Sequence, residues 1–77
     1  MKTFWVYLHT NDVPVALQWF KKRKNHTVIK HAHYDMDSDY SMILVQTNAK
    51  NLGAILNKTI SFNYLGVVDV TEKTINL

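Results

Sequence analysis

Imidazoles and carboxylates are the side chains of this sequence that could hold a metal ion or move a proton, and they crowd into one stretch. "HTVIKHAHYD", residues 26–35, contains His26, His31 and His33, three of the four histidines in the chain, and the run "DMDSD" supplies Asp35, Asp37 and Asp39. On an extended strand His31 and His33, two residues apart, share a face. The fourth histidine, His9, closes an alternating segment near the N-terminus. If strand pairing brings the ends of both segments to one sheet edge, His9, His31 and His33 form a candidate metal- or anion-binding trio, with the aspartates in the adjoining turn.

The spacing itself argues for something plainer. An H-x-H pair with no cysteine lacks the ligand pattern of a structural zinc site. "DMDSDYSMILVQ" opens like an EF-hand calcium loop but lacks its sixth-position glycine and twelfth-position glutamate. Polar side chains at a sheet edge discourage unwanted strand pairing, and clustered imidazoles there would titrate near neutrality, weakening an association as pH falls. For catalysis, His9 with Asp35 or Asp37 would make an acid/base pair, of a kind common by chance. There is no glycine-rich phosphate loop, nucleophile elbow or H-E-x-x-H, and the single glutamate, Glu72, lies in the tail. A non-enzymatic protein without a cofactor is therefore expected.

The elements that must position these residues follow from periodicity. Thr3 to Thr10 alternates Phe4, Val6 and Leu8 against Trp5, Tyr7 and His9, which predicts a strand. Asn11 or Asp12 then offers a helix cap, Pro14 suits a first turn, and Val13, Ala16, Leu17 and Phe20 recur at helical spacing, predicting a helix over Val13 to Lys24. Its basic end, Lys21, Lys22, Arg23 and Lys24, complements the helix dipole. A second strand from Thr27 to Asp35, a turn at "DMDSD" and a third strand from Tyr40 to Thr47 make a hairpin, with Tyr34 opposite Tyr40. Asn48 is placed to cap a shorter helix carrying Leu52, Ile55 and Leu56 and ending at Asn57. The last strand falls within Phe62 to Thr71, and a polar tail follows from about residue 72. The order β-α-β-β-α-β is that of ferredoxin-like α+β domains: four antiparallel strands, the first and third central, with two helices on one face.

Two helices on one face raise the question of the other. If Phe4, Val6 and Leu8 meet the helices, then Trp5, Tyr7 and His9 point away, a row too apolar for a face that meets water alone. The third strand adds Ile43 and Val45, or in the opposite parity Met42 and Leu44. The fourth adds Leu65 and Val67, or Tyr64 and Val68. An interface centred on Trp5, Tyr7, His9, Ile43 and Val45 is the expectation, first as a homodimer through packed sheets and next as capture of another protein, with Trp5, Tyr7 and Tyr34 as aromatic anchors. Single-stranded RNA or DNA stacked on the sheet is a third reading, because the RNA-recognition motif shares this topology. The third strand, "YSMILVQT", lacks that motif's basic, glycine- and aromatic-rich run, and the basic residues Lys21, Lys22, Arg23 and Lys24 fall at a helix end instead. Ligand sensors of the ACT type share the strand order, but no ligand loop of theirs is spelled out here.

Composition sets the bounds. Seventy-seven residues suffice for one domain, and 47% hydrophobic with 19% charged residues is a folding composition. A domain this small buries only ~60% of the surface its unfolded chain exposes, so association would add to a thin margin. The absence of cysteine excludes disulfides and thiolate chemistry. No apolar run approaches a membrane span, and "MKTF" leads straight into a strand pattern, so a cytoplasmic protein is expected. The net charge of +3 comes almost wholly from the one basic cluster. Eight lysines against one arginine, with seven asparagines, fit an AT-rich genome such as that of a phage or a low-GC bacterium.

Overall fold

In the computed structural model, which describes residues 1–34, 37–59 and 61–71 and gives backbone alone at Tyr34, Asp37 and Ser38, the first strand is β1 (Lys2–His9). It buries Phe4, Val6 and Leu8 and leaves Trp5 and Tyr7 half-buried, as the alternation requires. A single 3₁₀ turn, Thr10–Asp12, leads into α1 (Val13–Lys21), whose first turn contains Pro14. Val13, Ala16, Trp19 and Phe20 are its buried stripe. The helix stops short of Lys24. Lys22 N–H reaches Gln18 O at 3.2 Å and Arg23 N–H reaches Phe20 O at 3.1 Å, a tightened last turn beyond which no apolar residue remains to hold a further turn on the sheet.

β2 (His26–Tyr34) and β3 (Asp37–Thr47) pair antiparallel, and β3 starts three residues earlier than expected, within the acidic run itself. Side chains decide this less than pairing does: an extended backbone satisfies its N–H and C=O groups against β2. α2 (Leu52–Leu56) is short, and its cap is Asn51, whose Oδ1 accepts from Ala54 N–H at 3.1 Å, in place of the expected Asn48. Asn57 is the C-cap, as read from sequence. β4 (Gly66–Asp69) closes the sheet against β1.

The strand order is β2-β3-β1-β4, with every neighbouring pair antiparallel. Leu52 and Leu56 of α2 and the stripe of α1 join Phe4, Val6, Leu8, Ile43 and Val45 in one buried cluster, so both helices lie on the same face. The result is the ferredoxin-like βαββαβ sandwich. Beyond the second helix, Phe62 packs edge-on to Trp19 at 5.8 Å between ring centroids and tilted on Phe20 at 6.1 Å, sealing the end of the core. No helix among the described residues is long and apolar enough to cross a membrane.

Candidate functional site

Register assigns each residue to a face, because residues directly opposite on antiparallel strands share one. Phe4 faces Val45, Val6 faces Ile43 and Leu8 faces Ser41. Ile43 and Val45 are each 0% exposed and belong to the core, which corrects their expected place in the interface. The opposite parity holds: Trp5 faces Leu44, Tyr7 faces Met42 and His9 faces Tyr40 on the side away from the helices. β4 contributes Val68 beside Trp5 and Gly66 beside Tyr7, while Val67 turns to the core.

The uncovered face thus centres on Trp5, Tyr7, Tyr40, Met42, Leu44 and Val68, with Lys30, Ala32, Gln46 and Thr27 on the same side and no described helix packed on it. Leu44 is only 1% exposed there, flanked by Trp5 on one side and Lys30 on the other. Val68 is 45% exposed. Gly66, opposite Tyr7, has open space where a Cβ would stand. His9 ends the row, its ring tilted against Tyr40 with centroids 5.1 Å apart. The side chain of Tyr34, a further expected anchor, lies outside the described residues.

The histidine trio is not brought together. His31 faces Ile43 and His33 faces Ser41, so both belong to the helix side of the sheet, whereas His9 lies on the uncovered side. The pairing of residues 30 to 33 with 44 to 41 is the one implied by placing Tyr34 opposite Tyr40, but the ladder breaks on both sides of it. Val28 pairs with Val45 and Lys30 with Leu44, leaving Ile29 as an extra residue, 52% exposed, and Tyr34 pairs with Asp37. Any sequence placement of His31 and His33 beside His9 fails on this parity. Asp35 lies outside the described residues, as does the Asp37 side chain. Among the described residues, no three histidines, aspartates or glutamates are placed to hold a metal ion. The imidazole border of the uncovered face reduces to His9.

His33 does meet a hydroxyl: its Nδ1 is 3.3 Å from Ser41 Oγ, which is in turn 2.9 Å from Thr10 Oγ1. Ser41 is 1% exposed, so its hydroxyl cannot reach a substrate, and the contact satisfies a buried polar group. His26, which sequence reasoning left aside, is the most constrained histidine. It is buried under the end of α1, its ring stacked on Trp19 at 5.7 Å and 16°, and its Nδ1 lies 2.6 Å from Thr47 Oγ1. Burial and the nearby Arg23 guanidinium hold its pKa below the ordinary 6.5. Its place directly before the β-branched run Thr27, Val28 and Ile29 marks a strand start in the sequence, but its pairing with Thr47 comes only from the register.

The basic cluster sits on the helix side. Lys21, Lys22, Arg23 and Lys24 are all exposed, but Arg23 is engaged: its Cζ lies 3.8 Å over the Trp19 ring and its Nη1 donates to Trp19 O at 3.0 Å. The sheet therefore separates these cations from Trp5 and Tyr7. Comparison with known proteins finds no family model that matches the chain, and no curated protein or solved structure that matches it.

Proposed function

We propose that this α+β domain is a non-enzymatic accessory protein that self-associates through its uncovered sheet face and acts as a homodimer on another macromolecule. The observation that carries this reading is the composition of that face: Trp5, Tyr7, Tyr40, Met42 and Val68 are gathered on one side with no described helix to cover them. Aromatic and methionine side chains are the types enriched at interface cores. Association through the edge of β2 is the weaker alternative, since the bulge at Ile29 and the charge of Lys30 both obstruct strand addition.

Sedimentation of the wild type beside Trp5→Ala tests it. The wild type is expected at dimer mass, and the variant, checked for folding by circular dichroism, at a mass shifted towards monomer, since truncating an anchor costs ~2 kcal/mol or more. Wild type and variant both at monomer mass would sink the proposal.

One observation favours a second reading. Trp5 and Tyr7 on β1 and Tyr40 on β3 occupy the two central strands of one face, a stacking arrangement suited to single-stranded nucleic acid. Binding of labelled single-stranded RNA at two salt concentrations decides it: salt-dependent affinity lost in Trp5→Ala supports this reading, and no binding at low salt removes it.

A further inference from the structure

We propose that the groove between the end of α1 and the start of β2 binds small carboxylates that carry an apolar tail. This site is on the helix side of the sheet and stands independently of the dimer proposal. The groove is open to solvent, has a volume of about 350 Å³ and is lined by Leu17, Phe20, Lys21, His26, Thr27 and Val28. That volume is at the small end of ligand pockets, which are typically about 300–1,000 Å³. Leu17, Phe20 and Val28 give it an apolar wall, and no acidic residue lines it.

Its polar groups converge on one ligand chemistry. Thr47 is fully buried, and its Oγ1 accepts from Ala49 N–H at 3.0 Å and lies 2.6 Å from His26 Nδ1. Ala49 N–H can only donate, and Nδ1 is the one acceptor the Thr47 hydroxyl meets among the described residues. With the hydroxyl donating to Nδ1, the proton of the neutral imidazole sits on Nε2, the form that ring ¹⁵N shifts must show. Among the described residues no partner takes up that Nε2–H, and it is not a sealed-off atom, since the only buried side-chain N or O without a partner is Trp19 Nε1. The ring edge opposite Thr47 therefore presents a donor where His26 lines the groove. Lys21 adds an ammonium at the rim. Two donors, one of them cationic, above an apolar wall match a carboxylate head with a hydrocarbon or aryl body.

Beside burial, the Arg23 charge keeps His26 neutral, and a bound carboxylate would offset that charge. The ligand would thus raise the titration midpoint of His26, a readout that simple apolar contact would not produce.

Octanoate and octanol, titrated separately into the isotope-labelled full chain and followed by NMR, make the test. Octanoate is expected to give saturable shifts at Leu17, His26 and Val28 and an upward move of the His26 midpoint, with octanol markedly weaker. Lys21→Glu, at an exposed position, should weaken octanoate binding by up to roughly fivefold, the scale of an exposed charge pair. Lys22→Glu, one residue along but outside the groove, should leave it unchanged. Ring ¹⁵N shifts should report the Nε2–H form of His26 in the free protein. The proposal is overturned by absence of saturable shifts, by equal binding of octanol, by an indifferent Lys21→Glu, or by an Nδ1–H tautomer.

Discussion

His26 is where the helix layer meets the sheet: Trp19 lies along its ring, Phe20 meets it edge-on, and Thr47 holds Nδ1. Because its folded-state pKa is below 6.5, folding favours the neutral ring. Between the folded and unfolded values the unfolded chain binds more protons, so the stability this residue contributes is fully present above 6.5 and declines as pH falls below it. Thermal unfolding should therefore begin at lower temperature at about pH 5 than at about pH 7.5, and the ring should titrate below ordinary histidine in NMR. Arg23→Ala removes a charge that depresses this pKa and should move the midpoint upwards, while losing a cation–π contact of ~0.5–1 kcal/mol with Trp19. Thr47→Val keeps the shape but strips Nδ1 and Ala49 N–H of their shared hydroxyl, and chemical denaturation should show a loss of ~1–3 kcal/mol. Asp69 behaves in the same direction over a lower range of pH. The Thr71 hydroxyl and backbone N–H, followed by Lys2, hold its carboxyl down to about 2, so its contribution is complete above the usual 3.8 and disappears as pH falls towards 2.

At the scale of elements, the bulge in β2 decides which side chains meet the core. Ile29 is the inserted residue; deleting it would force either Val28 or the histidine pair out of register, since a one-residue slip turns every following side chain to the other face. A chain lacking Ile29 should lose cooperative unfolding or retain it only with His26 detached from Thr47, visible as an unshielded, normally titrating imidazole. Ile29→Lys, by contrast, changes an exposed side chain without altering register and should stay within ~0.5 kcal/mol of wild type in denaturation. The short second helix depends on its cap. Asn51→Ala should cost ~1 kcal/mol, whereas Asn48→Ala should be nearly neutral, which separates the cap that folding selected from the one that sequence spacing suggested. Asn48 is instead spent on the end of the ladder, its N–H donating to Asn25 O at 3.2 Å.

For the whole molecule, the sheet is a divider. One side is sealed by two helices and Phe62, and the other presents Trp5, Tyr7, Tyr40, Met42 and Val68. Val68→Lys places a charge on an edge strand of that face at a position already 45% exposed. It should leave monomer stability within ~0.5 kcal/mol. In sedimentation it should nonetheless shift the proposed dimer towards monomer. An unchanged dimer would move the interface elsewhere. The cations of the α1 end lie across the sheet from this face, which is why the charge of +3 says little about what the aromatic face contacts.

Local periodicity was enough to determine the element order and, through the alternation of Phe4, Val6 and Leu8 with Trp5 and Tyr7, the existence of an apolar face opposite the helices. Those signals are written residue by residue, in steps of two on a strand and three or four on a helix. Which residues of β3 share that face was not determined, because "YSMILVQT" is apolar in both parities, and only pairing with β1 turns Ile43 and Val45 inwards and Met42 and Leu44 outwards. The histidines divide for the same reason. Spacing puts His31 and His33 together, but their side of the sheet depends on which residues they oppose in β3, and that sets them apart from His9. The chemistry of His26 is wholly tertiary: its hydrogen bond, its lowered pKa and its place in the groove come from Thr47, Trp19 and Arg23, groups that only the folded chain brings around it.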